Sequence, residues 1–81
     1  MLISRNELLI AIKATLTKNG PALPNDRVVH GQLLRQLNGY FISSEDVKEL
    51  LETDIESGYF TAKNNLINIT ALGIEKLNIN I

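Results

Sequence analysis

With 81 residues, 44% hydrophobic and 21% charged, the chain is long enough for one core and is composed like an ordinary globular domain rather than a disordered one. The absence of cysteine excludes a disulfide framework, a zinc-thiolate site and a thiol nucleophile. The formal net charge of -1 conceals an uneven spread, since Glu45, Asp46, Glu49, Glu52, Asp54 and Glu56 hold most of the acid while Arg5, Lys13, Lys18, Arg27, Arg35, Lys63 and Lys76 lie elsewhere.

In chain order, Met1 to Glu7 places an acid where a signal peptide needs a positive region, and Lys13 interrupts the apolar run Leu8 to Ile12. The expected location is the cytoplasm, with no membrane partner, because no segment is long and apolar enough to span a bilayer. Ser4-x-x-Glu7 forms a capping box before Leu8, Leu9, Ala11, Ile12 and Leu16, which recur at helical spacing; this predicts a first helix ended by Asn19-Gly20-Pro21. Pro21 to Pro24 reads as an extended connector. Asn25 or Asp26 is placed to cap a second helix, with Val29, Leu33, Leu34 and Leu37 as its apolar stripe before Asn38-Gly39. Tyr40-Phe41-Ile42 reads as extended, and either it or Ala22-Leu23 is available as an extra strand.

Ser43 or Ser44 caps a third helix, with Asp46 reaching back and Val47, Leu50, Leu51 and Ile55 on the buried face up to Gly58. Beyond it, Asn64-Asn65 makes a two-residue turn of the primed type, which pairs Lys63 with Leu66, Ala62 with Ile67, Thr61 with Asn68 and Phe60 with Ile69. That register puts Phe60, Ala62, Ile67 and Ile69 inward and Tyr59, Thr61, Lys63, Leu66, Asn68 and Thr70 outward. A short final helix starts after Thr70.

Helix, hairpin and short helix in this order resemble the back end of the winged-helix family. There, a recognition helix ends at Gly, a hairpin wing follows, and the second wing strand enters an Ile-Thr-x-x-Gly-x-x-x-Leu helix start, here Ile69, Thr70, Gly73 and Leu77. The resemblance covers nearly the whole chain in element order. It implies a single domain over residues 1–81, α+β but mainly α, with a winged-helix-like three-helix core, a C-terminal β-hairpin wing and a short final helix.

The resemblance also implies DNA reading by the third helix, and the charges oppose that. At about 100° per residue, Glu45, Glu49, Glu52 and Glu56 form one stripe opposite the apolar face. Such a ridge beside phosphates repels where binding requires cations. The expectation is therefore a non-enzymatic regulatory or adaptor module whose four glutamates meet a protein partner with a basic surface. The alternative is a DNA-binding transcriptional regulator using the wing and helix two, through Arg27, Arg35, Tyr59 and Lys63, with dimerisation to gather charge.

His30, the sole histidine, and Asp54 both project toward the inner side of their helices: either they meet between helices two and three, or each lies at its helix edge and reaches water. Neither a nucleophile nor an oxyanion site accompanies them, so no catalytic residue, cofactor or metal is expected. Ile10 with Ala14, and the alternating Asn78-Ile79-Asn80-Ile81, are either ordinary exposed residues or a homodimer contact.

Overall fold

The computed structural model describes residues 3–64 and 66–81. Among them are five α-helices and one two-stranded antiparallel hairpin in the order α1 (Arg5–Leu16), α2 (His30–Gln36), α3 (Ser44–Leu50), α4 (Glu52–Glu56), β1 (Phe60–Lys63), β2 (Leu66–Ile69) and α5 (Ala71–Lys76). The class is thus mixed, α+β. No helix among the described residues is long and apolar enough to cross a membrane.

Local signals produce α1 as expected. Ser4 accepts from the Glu7 amide and Glu7 returns a bond to the Ser4 amide, both at 3.2 Å, and Leu8, Ala11, Ile12 and Thr15 are buried. Helix α2 begins later than its sequence suggests. Asn25 adopts a left-handed φ of 73°, and residues 25–28 run along the free edge of β2 instead of opening a helix. The Asn25 and Val28 amides donate to the Ile69 and Ile67 carbonyls at 2.7 and 2.9 Å, and the Ile69 amide donates to the Asp26 carbonyl at 2.9 Å. Backbone bonds to a strand some forty residues downstream thus outcompete the capping capacity of Asn25 and Asp26. Helix α2 starts from Val29 without a side-chain cap, which leaves Val29 exposed while Leu33 and Leu37 remain buried. The additional pairing segment is centred on an Arg27–Asn68 bridge and lies in neither Ala22-Leu23 nor Tyr40–Ile42.

The acidic run is two helices, not one. Ser43 and Asp46 form the capping box of α3, but Leu51 takes φ -97° and ψ 10°, well short of helical ψ, and α4 restarts at Glu52. Leu51 itself is fully buried, so the break falls at a core residue.

The hairpin has the expected register: Phe60 with Ile69, Thr61 with Asn68, Ala62 with Ile67 and Lys63 with Leu66. Asn64 has the positive φ that the turn requires, at 51°; Asn65, the other half of that turn, lies outside the described residues. Phe60, Ile67 and Ile69 point into the core, but Ala62 is exposed. Residues 25–28 flank β2, whereas β1 is an edge strand, and near the turn a methyl group does not reach cover. Tyr59, expected outside, is half-buried.

Thr70 caps α5 by accepting from the Gly73 amide at 3.0 Å, and its hydroxyl lies 2.6 Å from the Gly58 carbonyl oxygen and 3.1 Å from that of Tyr59. Gly73 is required by contact distance. A Cβ there would collide with the Tyr59 carbonyl oxygen and stand 2.8 Å from Ile69 Cδ1 and 2.9 Å from the Tyr59 carbonyl carbon. After α5 the chain turns inward: Ile79 is 1% exposed, and the Asn80 amide grips the Ala22 backbone, accepting at 2.6 Å and donating at 3.0 Å.

Gly73→Ala is expected to destabilise by about 3 kcal/mol or more, since backbone rather than a pliable side chain fills the space. Phe60→Ala, at a site 1% exposed, is expected to cost about 3 to 5 kcal/mol. Urea unfolding followed by far-UV circular dichroism measures both, and a loss under 1 kcal/mol at Gly73 contradicts the close approach.

Candidate functional site

The acidic segment divides its carboxylates by task. Asp46 closes the capping box of α3, with its Oδ2 accepting from the Ser43 amide at 3.2 Å. Asp54 is 1% exposed and is held by Arg5, whose Nε donates to Oδ2 at 2.8 Å and Nη2 to Oδ1 at 2.5 Å. This two-pronged geometry is the strong form of a charge-assisted bond. Asp54 raises the guanidinium pKa of Arg5, mainly through the hydrogen bond; partial burial opposes the rise, and the charge of Asp54 and then Tyr59 support it. The Asp54 partner is therefore Arg5 and not His30.

His30 instead lines a cavity of about 20 Å³ with Val28, Leu33, Ser44, Val47 and Ile67, space for little more than one water. A larger groove of about 320 Å³ lies beside α1 between Lys13, Thr17, Gly20, Pro21, Ile79, Asn80 and Ile81, where Lys13 Nζ donates to the Ile81 carbonyl oxygen at 2.6 Å. Among the described residues no group of three or more His, Cys, Asp or Glu is placed to hold a metal ion.

Glu45, Glu49, Glu52 and Glu56 are all exposed. They stand on two helices, the first pair on α3 and the second on α4, so the stripe drawn for one continuous helix is interrupted at Leu51. The four proposed nucleic-acid residues are gathered only in part. Arg27 bridges Asn68, which faces Thr61, and directly opposed residues share a sheet face. Arg27, Thr61, Lys63, Leu66 and Asn68 thus lie on the side away from Phe60 and Ile69. Arg35, exposed in the last turn of α2, is not linked to that face by any strand pairing. Tyr59 is half-buried and fixed through its backbone, donating to the Asp54 carbonyl at 2.9 Å and accepting from the Thr70 amide at 3.0 Å. The apolar patch expected around helix one and the final residues loses Ile79 to the core, leaving Ile10 and Ile81 exposed.

Two residues escaped the sequence reading. Arg5 carried a signal: a cation in the first turn of a helix opposes the dipole and calls for an external partner. Phe41, 90% exposed, carried none, because a short extended piece does not reveal which side faces solvent.

Arg5→Met is expected to cost about 2 to 3 kcal/mol, less than the roughly 3 to 5 of a fully buried pair because the Arg5 side chain is 44% exposed. Adding Asp54→Leu should recover part of that loss by removing the stranded carboxylate. Urea unfolding of the single and double variants checks this, and a double variant no more stable than Arg5→Met alone contradicts it.

No protein-family model matches the chain, and comparisons with curated proteins and with solved structures find no match either.

Proposed function

We propose that the chain is a small winged-helix-like module of the cytoplasm that works by protein contact, without catalysis, as a regulator or adaptor. Element order supports the fold reading: α1, α2 and the broken α3–α4 run, a hairpin whose second strand is flanked by residues 25–28, and a final helix entered through Ile69, Thr70 and Gly73. The division of labour among the acids carries the functional reading. Both aspartates of the run are engaged within the fold, while Glu45, Glu49, Glu52 and Glu56 are left at the surface of α3 and α4. In this reading they meet a partner bearing Lys and Arg, and they turn the third helical stretch away from DNA.

A second reading has one observation in its favour, the shared sheet face of Arg27 and Lys63. It makes the protein a DNA-binding regulator through the wing. Two cations on a face are few beside a dedicated phosphate-binding patch.

Replacing Glu45, Glu49, Glu52 and Glu56 together by Gln tests the first reading through titration with a short DNA duplex at low salt. The native protein is expected to bind weakly or not at all, and the variant to gain affinity as repulsion is removed. Tight native binding that the variant leaves unaltered or reduces overturns it. Tight native binding lost in Arg27→Glu/Lys63→Glu establishes the second.

A further inference from the structure

Between α2 and α3 the chain presents an aromatic pair to solvent. Phe41 is 90% exposed and Tyr40 43% exposed, whereas Ile42 next to them is 1% exposed. Their position is pinned on both sides. Upstream, Asn38 and Gly39 take consecutive left-handed φ values of 39° and 97°, and the Tyr40 amide donates to the Leu37 carbonyl at 3.2 Å. Downstream, Ile42 is sunk in the core and Ser43 is locked by its capping box with Asp46. Ile42 is directed inward, and Phe41 beside it outward. A phenyl ring left in water forgoes the burial that makes aromatic residues valuable to a core.

From this geometry we infer that Phe41, assisted by Tyr40, is the apolar anchor of the protein-contact surface, and that the partner offers a hydrophobic socket bordered by Lys or Arg. The inference rests on the protein-contact reading above and names the chemistry of its partner. Aromatic residues, Phe and Tyr among them, are enriched at protein interfaces and contribute heavily to their energetics. Charge complementarity selects the border of the socket: Glu45 lies four residues beyond Phe41 and Glu49 one helical turn further on. The same glutamates disfavour an anionic lipid surface, and a single exposed ring is a weak insertion device.

The test is selection of a random phage-displayed peptide library on the native protein, followed by titration of the enriched peptides, synthesised singly. The expected peptides carry a large apolar residue beside Lys or Arg. They should bind Phe41→Ser at least tenfold more weakly, recover with Phe41→Trp, and lose most of their salt sensitivity with the Glu45, Glu49, Glu52 and Glu56 to Gln variant. Phe41→Ser should unfold at the same urea concentration as the native protein, which separates contact from stability. Peptides that depend on the glutamates but ignore Phe41 overturn the anchor and leave the protein-contact reading standing. Peptides that depend on Phe41 but ignore salt and the glutamates overturn the basic border. No enriched peptide at all overturns both readings. Binding to phosphatidylcholine vesicles that is lost in Phe41→Ser, or a dimer in sedimentation that the same change dissociates, assigns the ring to a membrane or a second copy and overturns the inference.

Discussion

A carboxylate withdrawn from water must find compensating charge and hydrogen bonds. Asp54 finds both in Arg5, 49 residues earlier in the chain, so the first turn of α1 is tied to α4. The same residue is bound through its backbone: the Asp54 carbonyl accepts from the Tyr59 amide, the Tyr59 carbonyl accepts from Thr70, and Thr70 caps α5 through Gly73. One continuous seam therefore runs from α1 through α4 and the start of β1 to α5. Its tightest point is Gly73 against the Tyr59 carbonyl, where no larger residue fits. The seam also sets where the hairpin emerges, because Tyr59 immediately precedes β1 and Thr70 immediately follows β2.

Among the described residues, the hairpin is paired to a further segment on one side only. Residues 25–28 bond to the outer edge of β2, which makes β2 a central strand and β1 an edge. Burial follows that asymmetry: Ile67 and Ile69 are both covered, whereas in β1 only Phe60 is. An isolated two-stranded hairpin is marginal in water, and here a third segment plus the apolar face of the helices supplies what it lacks. Lys63 and the brevity of β1 are the usual protections against edge-to-edge pairing with another chain.

What was legible in the sequence is what short spacing decides. Ser4 with Glu7, Ser43 with Asp46 and Thr70 with Gly73 each act across three residues, and the hairpin register follows from its turn and the alternation beside it. What was not legible depends on distant partners. Asn25 and Asp26 have the chemistry of helix caps, yet the edge of β2 claims their backbone. Asp54 was recognisable as an inward-facing acid by projection, but its partner lay in another helix start rather than at His30. Ile79 alternates with asparagines like a surface strand, and it is buried because Asn80 clamps the chain to Ala22. For the candidate site, the exposed glutamates were readable one by one, whereas the break at Leu51 and the outward ring of Phe41 required the packing of Leu51 and Ile42.

That break changes how the glutamates weigh. An acid in the first turn of a helix is favoured by the dipole by about 0.3 to 1 kcal/mol, and an acid in the last turn is disfavoured by a similar amount. In a single helix Glu52 would stand well past the middle; with α4 restarting after Leu51 it occupies a first turn, as Glu45 does in α3. Local helix physics therefore accounts for Glu45 and Glu52 without any partner. Glu49 and Glu56 sit in the last turns of α3 and α4, where the dipole opposes them and where Lys or Arg would stabilise the fold better. Helix electrostatics give no stabilisation to carboxylates at these two positions. The protein-contact reading therefore rests on Glu49 and Glu56 more than on the full set of four.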